Sequence, residues 1–314
     1  MKKKILITGG NGFLGKNLAL NLKKNYKVFI GSRNNGENLK ASYLTNTEFI
    51  PLDVSNINSV RDALNISKPE IIIHAAATKF VDLSENYPFE CVDVNIVGSA
   101  NIARASIEKN IKTVIGISTD KSAQPIENIY GHSKAVMERI FVASNYLGKT
   151  NFFCLRFGNI AWSTGSVFPI WKKMMQDTNL IKTTGPFMRR FFFTIDDAVN
   201  FVDMSIIKRK KFSGKIVCPD MKSSRMIDIL KVWSKSYKVK YKIISKRRGD
   251  KIDETLISSN EIEKTEIFKF KNKKYFVIDF KSDSKNFLKK SINSYNSKKL
   301  NKKEIFKLLS LGLK

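Results

Sequence analysis

The sequence predicts an α/β fold: a Rossmann-like, doubly wound parallel sheet followed by a smaller C-terminal lobe. Three observations carry this prediction. Short apolar runs alternate with segments of helical spacing through the first half of the chain. A glycine-rich turn falls between the first apolar run and the first helical pattern. The 314 residues, 42% of them hydrophobic, are enough for one large domain and a second lobe.

Lys4–Thr8 reads as a buried strand, and Phe13–Lys24 as a helix with Leu14, Leu18 and Leu22 on one face. Lys27–Gly31 and Glu48–Leu52 supply the second and third strands. Ile57–Ile66 is helical, and Glu70–His74 is the fourth strand. One long helical pattern covers Tyr87–Asn110. Thr113–Ser118 is the fifth strand, Ile129–Leu147 a helix and Phe152–Phe157 the sixth strand. This alternation implies a parallel sheet with helices on both faces. After about residue 160 the pattern loosens into short elements, glycines, prolines and aromatics. The expected division is therefore residues 1–160 and 161–314, with some later segments returning to the first domain. Near the end, Ile305-Phe-Lys-Leu-Leu has the look of a short amphipathic helix.

The net charge of +28 is the outlier of the composition. Its lysines are spread along the whole chain, alongside abundant Asn, Ile and Phe, so no nucleic-acid partner is expected; a small anionic substrate fits the charge as well. No apolar run approaches the ~20 residues of a membrane helix, and no integral membrane association is expected. Cys91, Cys154 and Cys218 are too few and too scattered for a disulfide frame or a metal site, so the expectation is a cytoplasmic protein without a metal.

The turn Thr8-Gly9-Gly10-Asn11-Gly12-Phe13-Leu14-Gly15 has the spacing of a dinucleotide site. Gly9 permits the tight turn, Gly12 lets backbone approach a pyrophosphate, and Gly15 lets the helix pack against the sheet. The second strand ends in Ser32-Arg33 where an acidic residue would hold the ribose of NAD; a hydroxyl and a guanidinium suit a 2′-phosphate, which favours NADP over NAD. Asp53 and Val54 could meet the adenine, Ala75, Ala76 and Ala77 leave room for the cofactor, and Asn95 could anchor it.

Tyr130 and Lys134 stand four apart on a helix and so share a face. A nearby ammonium favours phenolate, which equips Tyr130 to take a hydroxyl proton as hydride leaves, and Thr119 would bond the same hydroxyl. Asp120-Lys121 adds a carboxylic acid and an amine. Oxidation of a sugar hydroxyl acidifies the adjacent C–H bond; an amine can then remove that proton while an acid expels a hydroxyl as water. For this Lys121 would need a depressed pKa, expected from burial and from neighbouring positive charge.

Ser118-Thr-Asp-Lys-Ser-Ala-Gln-Pro resembles the S-T-D-K-A-x-x-P motif of the inverting UDP-N-acetylglucosamine 4,6-dehydratases, extended short-chain dehydrogenase/reductases of pseudaminic-acid and capsule pathways. The likeness continues in His74-Ala-Ala-Ala-Thr-Lys-Phe-Val81, Arg156-Phe-Gly-Asn159 with Gly165-Ser-Val167, Arg190-Phe-Phe-Phe-Thr194, Arg247-Arg-Gly-Asp-Lys251 with Glu254, and Tyr295-Asn-Ser297. The resemblance implies that hydride leaves carbon 4 for NADP and later returns to carbon 6. It casts Lys121 as the base at carbon 5 and Asp120 as the acid at the carbon 6 hydroxyl. It implies a UDP-sugar substrate held by Asn159, Val167, Arg190, Arg247 and Glu254, with Lys79 lining the sugar pocket, and a homo-oligomer.

The chain departs from the family's pattern at several points. One extra residue, near Glu127, lies between Lys121 and Tyr130, and Phe80 stands in place of His. Arg248, Asp250 and Asp253 replace the usual Pro, Glu and His. These changes leave the reaction class in place and bear on the sugar identity and the stereochemical outcome at carbon 5; the alternatives are a retaining dehydratase, a 4-epimerase and, beyond enzymes, an NADP-binding sensor. The Asp120-Lys121 pair argues against an epimerase, and the retained Tyr130 and Lys134 argue against a sensor.

Overall fold

The computed structural model describes residues 2–244, 251–282 and 287–313. Its centre is a nine-stranded sheet. Strands β1 (Lys4–Thr8), β2 (Lys27–Ser32), β3 (Glu48–Pro51), β4 (Ile71–His74), β5 (Thr113–Thr119) and β6 (Asn151–Phe157) lie in the order β3-β2-β1-β4-β5-β6, every pair parallel. The order reverses between β1 and β4. In such sheets ligands bind at the carboxyl ends of the strands beside that reversal. The strands are nearly continuous Ile, Leu, Val and Phe because helices cover both faces.

Helices α1 (Phe13–Leu22), α3 (Ile57–Ser67) and α7 (Ile129–Ser144) form where their spacing predicts. A further helix, α2 (Asn35–Thr45), is capped by the Asn34 side chain, which accepts from the Glu37 amide. Only Asn38, Ala41 and Thr45 of it are buried, so it carries no apolar stripe for a sequence pattern to show. A short α4 (Val81–Asn86) precedes the stretch expected as one helix. That stretch is α5 (Pro88–Cys91), a π-helical turn at Val92–Val97 and α6 (Gly98–Glu108).

Later strands are β7 (Asn159–Ile160), β8 (Leu180–Thr183), β9 (Arg189–Phe193), β10 (Ile216–Pro219), β11 (Lys222–Arg225), β12 (Lys240–Ile243), β13 (Thr255–Ile257), β14 (Thr265–Phe270), β15 (Lys273–Ile278) and β16 (Ile292–Asn293). Three of them return to the main sheet: β10 parallel to β6, then β15 and β14 antiparallel beyond it. The remaining helices are α8 (Val167–Thr178), α9 (Ile195–Ile207), α10 (Arg209–Phe212), α11 (Met226–Tyr237) and α12 (Lys302–Ser310), the last around the Ile305 segment. A second apolar cluster, centred on Phe168, Trp171, Leu230, Trp233 and Leu309, unites α8, α11 and α12.

A buried ion cluster ties β6 to α7 and to the segment after β13. The Arg156 guanidinium donates twice to Glu138, at 2.9 and 2.8 Å, twice to Glu261, at 2.9 and 2.8 Å, and once to the Leu256 carbonyl at 3.0 Å. All three charged side chains are buried. Cys91, Cys154 and Cys218 are free and buried. Among the described residues no helix is long and apolar enough to cross a membrane.

Candidate active site

A cavity of about 510 Å³ opens at the carboxyl ends of β1, β4, β5 and β6. The glycine turn forms one wall. Gly9 has φ +66°, and a Cβ there would lie 2.8 Å from the Ala76 backbone; one on Gly15 would lie 2.5 Å from the Gly9 carbonyl oxygen. Gly12 directly precedes α1, so that helix's free N–H groups border the cavity. Asn11, Phe13, Leu14, Ala75, Ala76 and Ala77 line the same part, as expected.

Thr119, Lys121, Tyr130, Lys134, Lys79, Asn159 and Arg190 line the remainder. β5 runs into a tight turn, Asp120–Ser122, and α7 begins at Ile129 with Asn128 accepting from the Gly131 amide. The extra residue near Glu127 is accommodated before that cap, and Tyr130 and Lys121 still share one cavity. The Lys251 ammonium pins this loop by donating to the Pro125 carbonyl.

Other expected residues lie elsewhere. Ser32 ends β2 and Arg33 follows it, but neither lines the cavity; Ser32 donates to the Asn38 side chain at 2.6 Å, and exposed Arg33 pairs with Glu90 at 3.0 Å. The Asp53 carboxylate accepts from the amide and hydroxyl of Ser55, and Val54 packs against Gly98. Asn95 braces the loop after β4, accepting from the Thr78 amide at 2.9 Å and donating to the Thr78 carbonyl at 3.0 Å and to Ser133 at 2.9 Å. Val167 opens α8 against the second apolar cluster. Arg247 lies outside the described residues. Asp120 and Glu254 are buried and do not line the cavity; they sit behind Lys121.

Phe80 and the loop Ser163–Ser166 also border the cavity and were not anticipated. The Lys79 ammonium donates to the Thr164 carbonyl at 2.6 Å, and the Phe80 ring packs so close to Gly165 that a Cβ there would meet it at 2.2 Å. A backbone carbonyl leaves no trace in a residue pattern; Gly165, with φ +74°, was the available signal.

The electrostatics reverse one expectation. The Lys121 ammonium lies 3.2 Å from Asp120 and 3.0 Å from Glu254. Burial pulls its pKa down, but the two carboxylates outweigh both burial and the Arg190 charge, so it stands above that of an ordinary lysine. Burial raises the Asp120 carboxyl against the pull of Lys121, whereas Lys121 and Arg190 overcome burial to hold Glu254 low. Burial also pushes the Tyr130 phenol up to about 12, opposed by Lys121 and by a hydrogen bond with Thr119. The charge that favours its phenolate is thus that of Lys121, where Lys134 was expected. Lys134, brought down to about 8 by burial, donates instead to the Met137 sulfur at 3.0 Å. His74 is a structural group: buried, lowered to about 3 by desolvation, and bonded to Thr8 and Ser99.

Comparison with known proteins identifies the family. Residues 5–278 match the family described as "Polysaccharide biosynthesis protein". A UDP-N-acetylglucosamine 4,6-dehydratase (inverting) of Campylobacter jejuni is 35% identical over 288 residues, 88% of this chain and 83% of that protein. A UDP-glucose 4-epimerase of Rickettsia bellii is 32% identical over 98% of this chain and 95% of its own length. Among solved structures, Pen from Bacillus thuringiensis superposes with a TM-score of 0.90 at 25% identity, covering 99% of this chain and 98% of that one. By these matches the chain is a member of the polysaccharide biosynthesis protein family of extended short-chain dehydrogenase/reductases.

Proposed function

We propose that the protein is an NADP-dependent UDP-N-acetylglucosamine 4,6-dehydratase that inverts carbon 5. The observation that carries this reading is Lys121 in one cavity with Tyr130 and the glycine turn, paired from behind with Asp120. A dehydrogenase or epimerase needs the tyrosine; elimination of water also needs an amine and a carboxylic acid.

The residues fit a nicotinamide dinucleotide: the cradle admits only glycine at positions 9 and 15, and a helix N-terminus borders it. When bound, that cofactor supplies hydride acceptance and return. Ser32 and Arg33 support NADP; an exposed pair such as Arg33–Glu90 is weak, and a phosphate can compete for the guanidinium. Residues 1–160 would then hold the cofactor and 161–314 the nucleotide sugar, with β10, β14 and β15 returning to the sheet.

As the phenolate, the form that the neighbouring Lys121 charge favours, Tyr130 takes the carbon 4 hydroxyl proton, with Thr119 beside it. Moving one proton across the 3.2 Å between Lys121 and Asp120 turns an ion pair into an amine and a carboxylic acid. The amine removes the carbon 5 proton. Asp120 lies below the cavity floor, so its proton reaches the departing carbon 6 hydroxyl by way of Thr119 or Lys121, both bonded to it. Arg190 and Asn159 face the cavity where a UDP moiety would lie.

The Rickettsia relative favours a second reading, a UDP-sugar 4-epimerase. Incubation with UDP-N-acetylglucosamine in deuterated water separates the two by NMR. A 4-keto-6-deoxy product carrying deuterium at an inverted carbon 5 supports the dehydratase; retention at carbon 5 makes it a retaining enzyme; UDP-N-acetylgalactosamine alone makes it an epimerase. Lys121→Ala should abolish water loss, and full dehydration by that variant refutes the base. The reading also carries a homo-oligomeric assembly, which sedimentation would measure.

A further inference from the structure

The resemblance cast Glu254 as a substrate ligand, yet its side chain is 3% exposed and does not line the cavity. It is held from behind. Its amide donates to the Ser294 hydroxyl at 3.0 Å, its carbonyl accepts from the Ser294 amide at 2.8 Å, and its Oε1 lies 3.0 Å from the Lys121 ammonium. On the other side of that nitrogen, Asp120 Oδ1 lies at 3.2 Å. Two of the three Lys121 N–H donors therefore face carboxylates under the floor, while the side chain itself reaches the cavity. The far oxygens, Asp120 Oδ2 and Glu254 Oε2, are buried and have no hydrogen-bond donor among the described residues. A buried carboxylate that keeps one oxygen unbonded is costly unless a cation stands against the other. Lys121 is that cation for both, and Arg190, at 3.6 Å from Glu254, assists at one.

We infer that Glu254 is a positioning residue for Lys121: from beneath the cavity floor it clamps the Lys121 ammonium against Asp120 and so sets when that nitrogen can accept a proton. This deepens the dehydratase reading and rests on it for its catalytic meaning. The clamp itself is independent of any reaction.

The logic is a division of labour between two carboxylates. Asp120, pushed toward the protonated form by burial, is the partner that can exchange a proton with Lys121. Glu254, held as an anion by Lys121 and Arg190, is the partner that keeps the ammonium in place. Among the described residues, the other charged or titratable groups at this cluster are Arg190 from β9, which opposes the Lys121 charge, the phenol of Tyr130 from α7, and Lys251, which acts on Glu254. Removing only the Glu254 charge should therefore lower the Lys121 pKa, because Asp120 alone then opposes burial and Arg190.

The test is a titration of the Lys121 side chain in full-length protein labelled with 13C at the lysine ε carbon, its signal assigned by its loss in Lys121→Arg. Glu254→Gln should move the midpoint down by about 1–3 pH units relative to wild type, and Glu254→Asp by less. An unchanged midpoint in Glu254→Gln overturns the inference whether or not the protein turns over a sugar. In activity, the acidic limb of the kcat profile should move down with the midpoint. A raised KM with an unmoved limb would make Glu254 a substrate ligand and overturn the inference too. Wild-type protein yielding no 4-keto-6-deoxy product refutes the dehydratase reading instead, and the titration still decides the clamp.

Discussion

Replacing Arg156 with methionine tests the joint between the two halves of the site. The guanidinium makes five hydrogen bonds, four of them to the carboxylates of Glu138 and Glu261. The three side chains are only 2%, 3% and 9% exposed, so water cannot replace the lost donors. Removing one partner of a buried ion cluster costs about 3–5 kcal/mol, since uncompensated charge remains. At about 1.5 °C per kcal/mol for a chain of this length the melting temperature should fall by roughly 5–8 °C. Urea unfolding followed by circular dichroism measures the loss. The pH dependence gives a second check. In the native protein burial raises the Glu261 carboxyl, but Arg156 and the Ser258 hydrogen bonds prevail and hold it below the usual range. Its stabilisation is therefore present above the unfolded carboxyl pKa and lost as pH falls through the lower folded value. Without Arg156 burial is left to dominate, and protonation relieves the strain. The penalty of Arg156→Met should accordingly shrink between about pH 8 and about pH 5. A loss below about 1 kcal/mol, or a penalty that does not change with pH, would refute the reasoning.

Tyr130→Phe should lower kcat about 10²–10⁴-fold with little change in cofactor affinity, measured by steady-state kinetics and fluorescence titration. Arg33→Asp should weaken NADP binding and improve NAD binding; an unaltered ratio of the two Kd values would remove Arg33 from the cofactor site. Gly158→Ala would place a methyl group 2.5 Å from the Phe191 Cβ and 3.1 Å from Asp120 Oδ2, both fixed in the interior. It should cost about 1–3 kcal/mol by thermal unfolding and slow dehydration, and wild-type behaviour in both would show that the floor has slack.

The first half of the fold was legible because its signals are local. The glycine turn, the apolar strands and the Leu14–Leu18–Leu22 face are each written within a dozen residues. α2 escaped because its Asn, Gly, Glu and Lys residues show no apolar face. Some later segments were expected to return to the first domain, but that they are β10, β14 and β15 could not be read, because joining a distant sheet edge is a tertiary event that their own residues do not announce. The site divides in the same way. Tyr130, Lys134, Thr119 and Lys121 could be read from spacing, and they share one cavity. The Lys121 proton affinity could not, because its deciding partner, Glu254, arrives from far down the chain and outweighs the burial that its own surroundings suggest.

The continuous sheet bears on how a substrate would enter. β10, β15 and β14 extend the hydrogen-bonded ladder that carries the glycine turn, so these late segments are fixed to the first domain, whereas the second apolar cluster and the small sheets β7-β9-β11 and β8-β12 lie outside that ladder. Among the described residues, the Lys79 ammonium bonds the Thr164 carbonyl and the Phe80 ring rests on Gly165, so the loop after β4 meets the loop before α8 at the cavity wall. A ligand entering past this contact has to part those two loops. A covalent cross-link between those loops should stop exchange of ligands while leaving the cavity itself undisturbed.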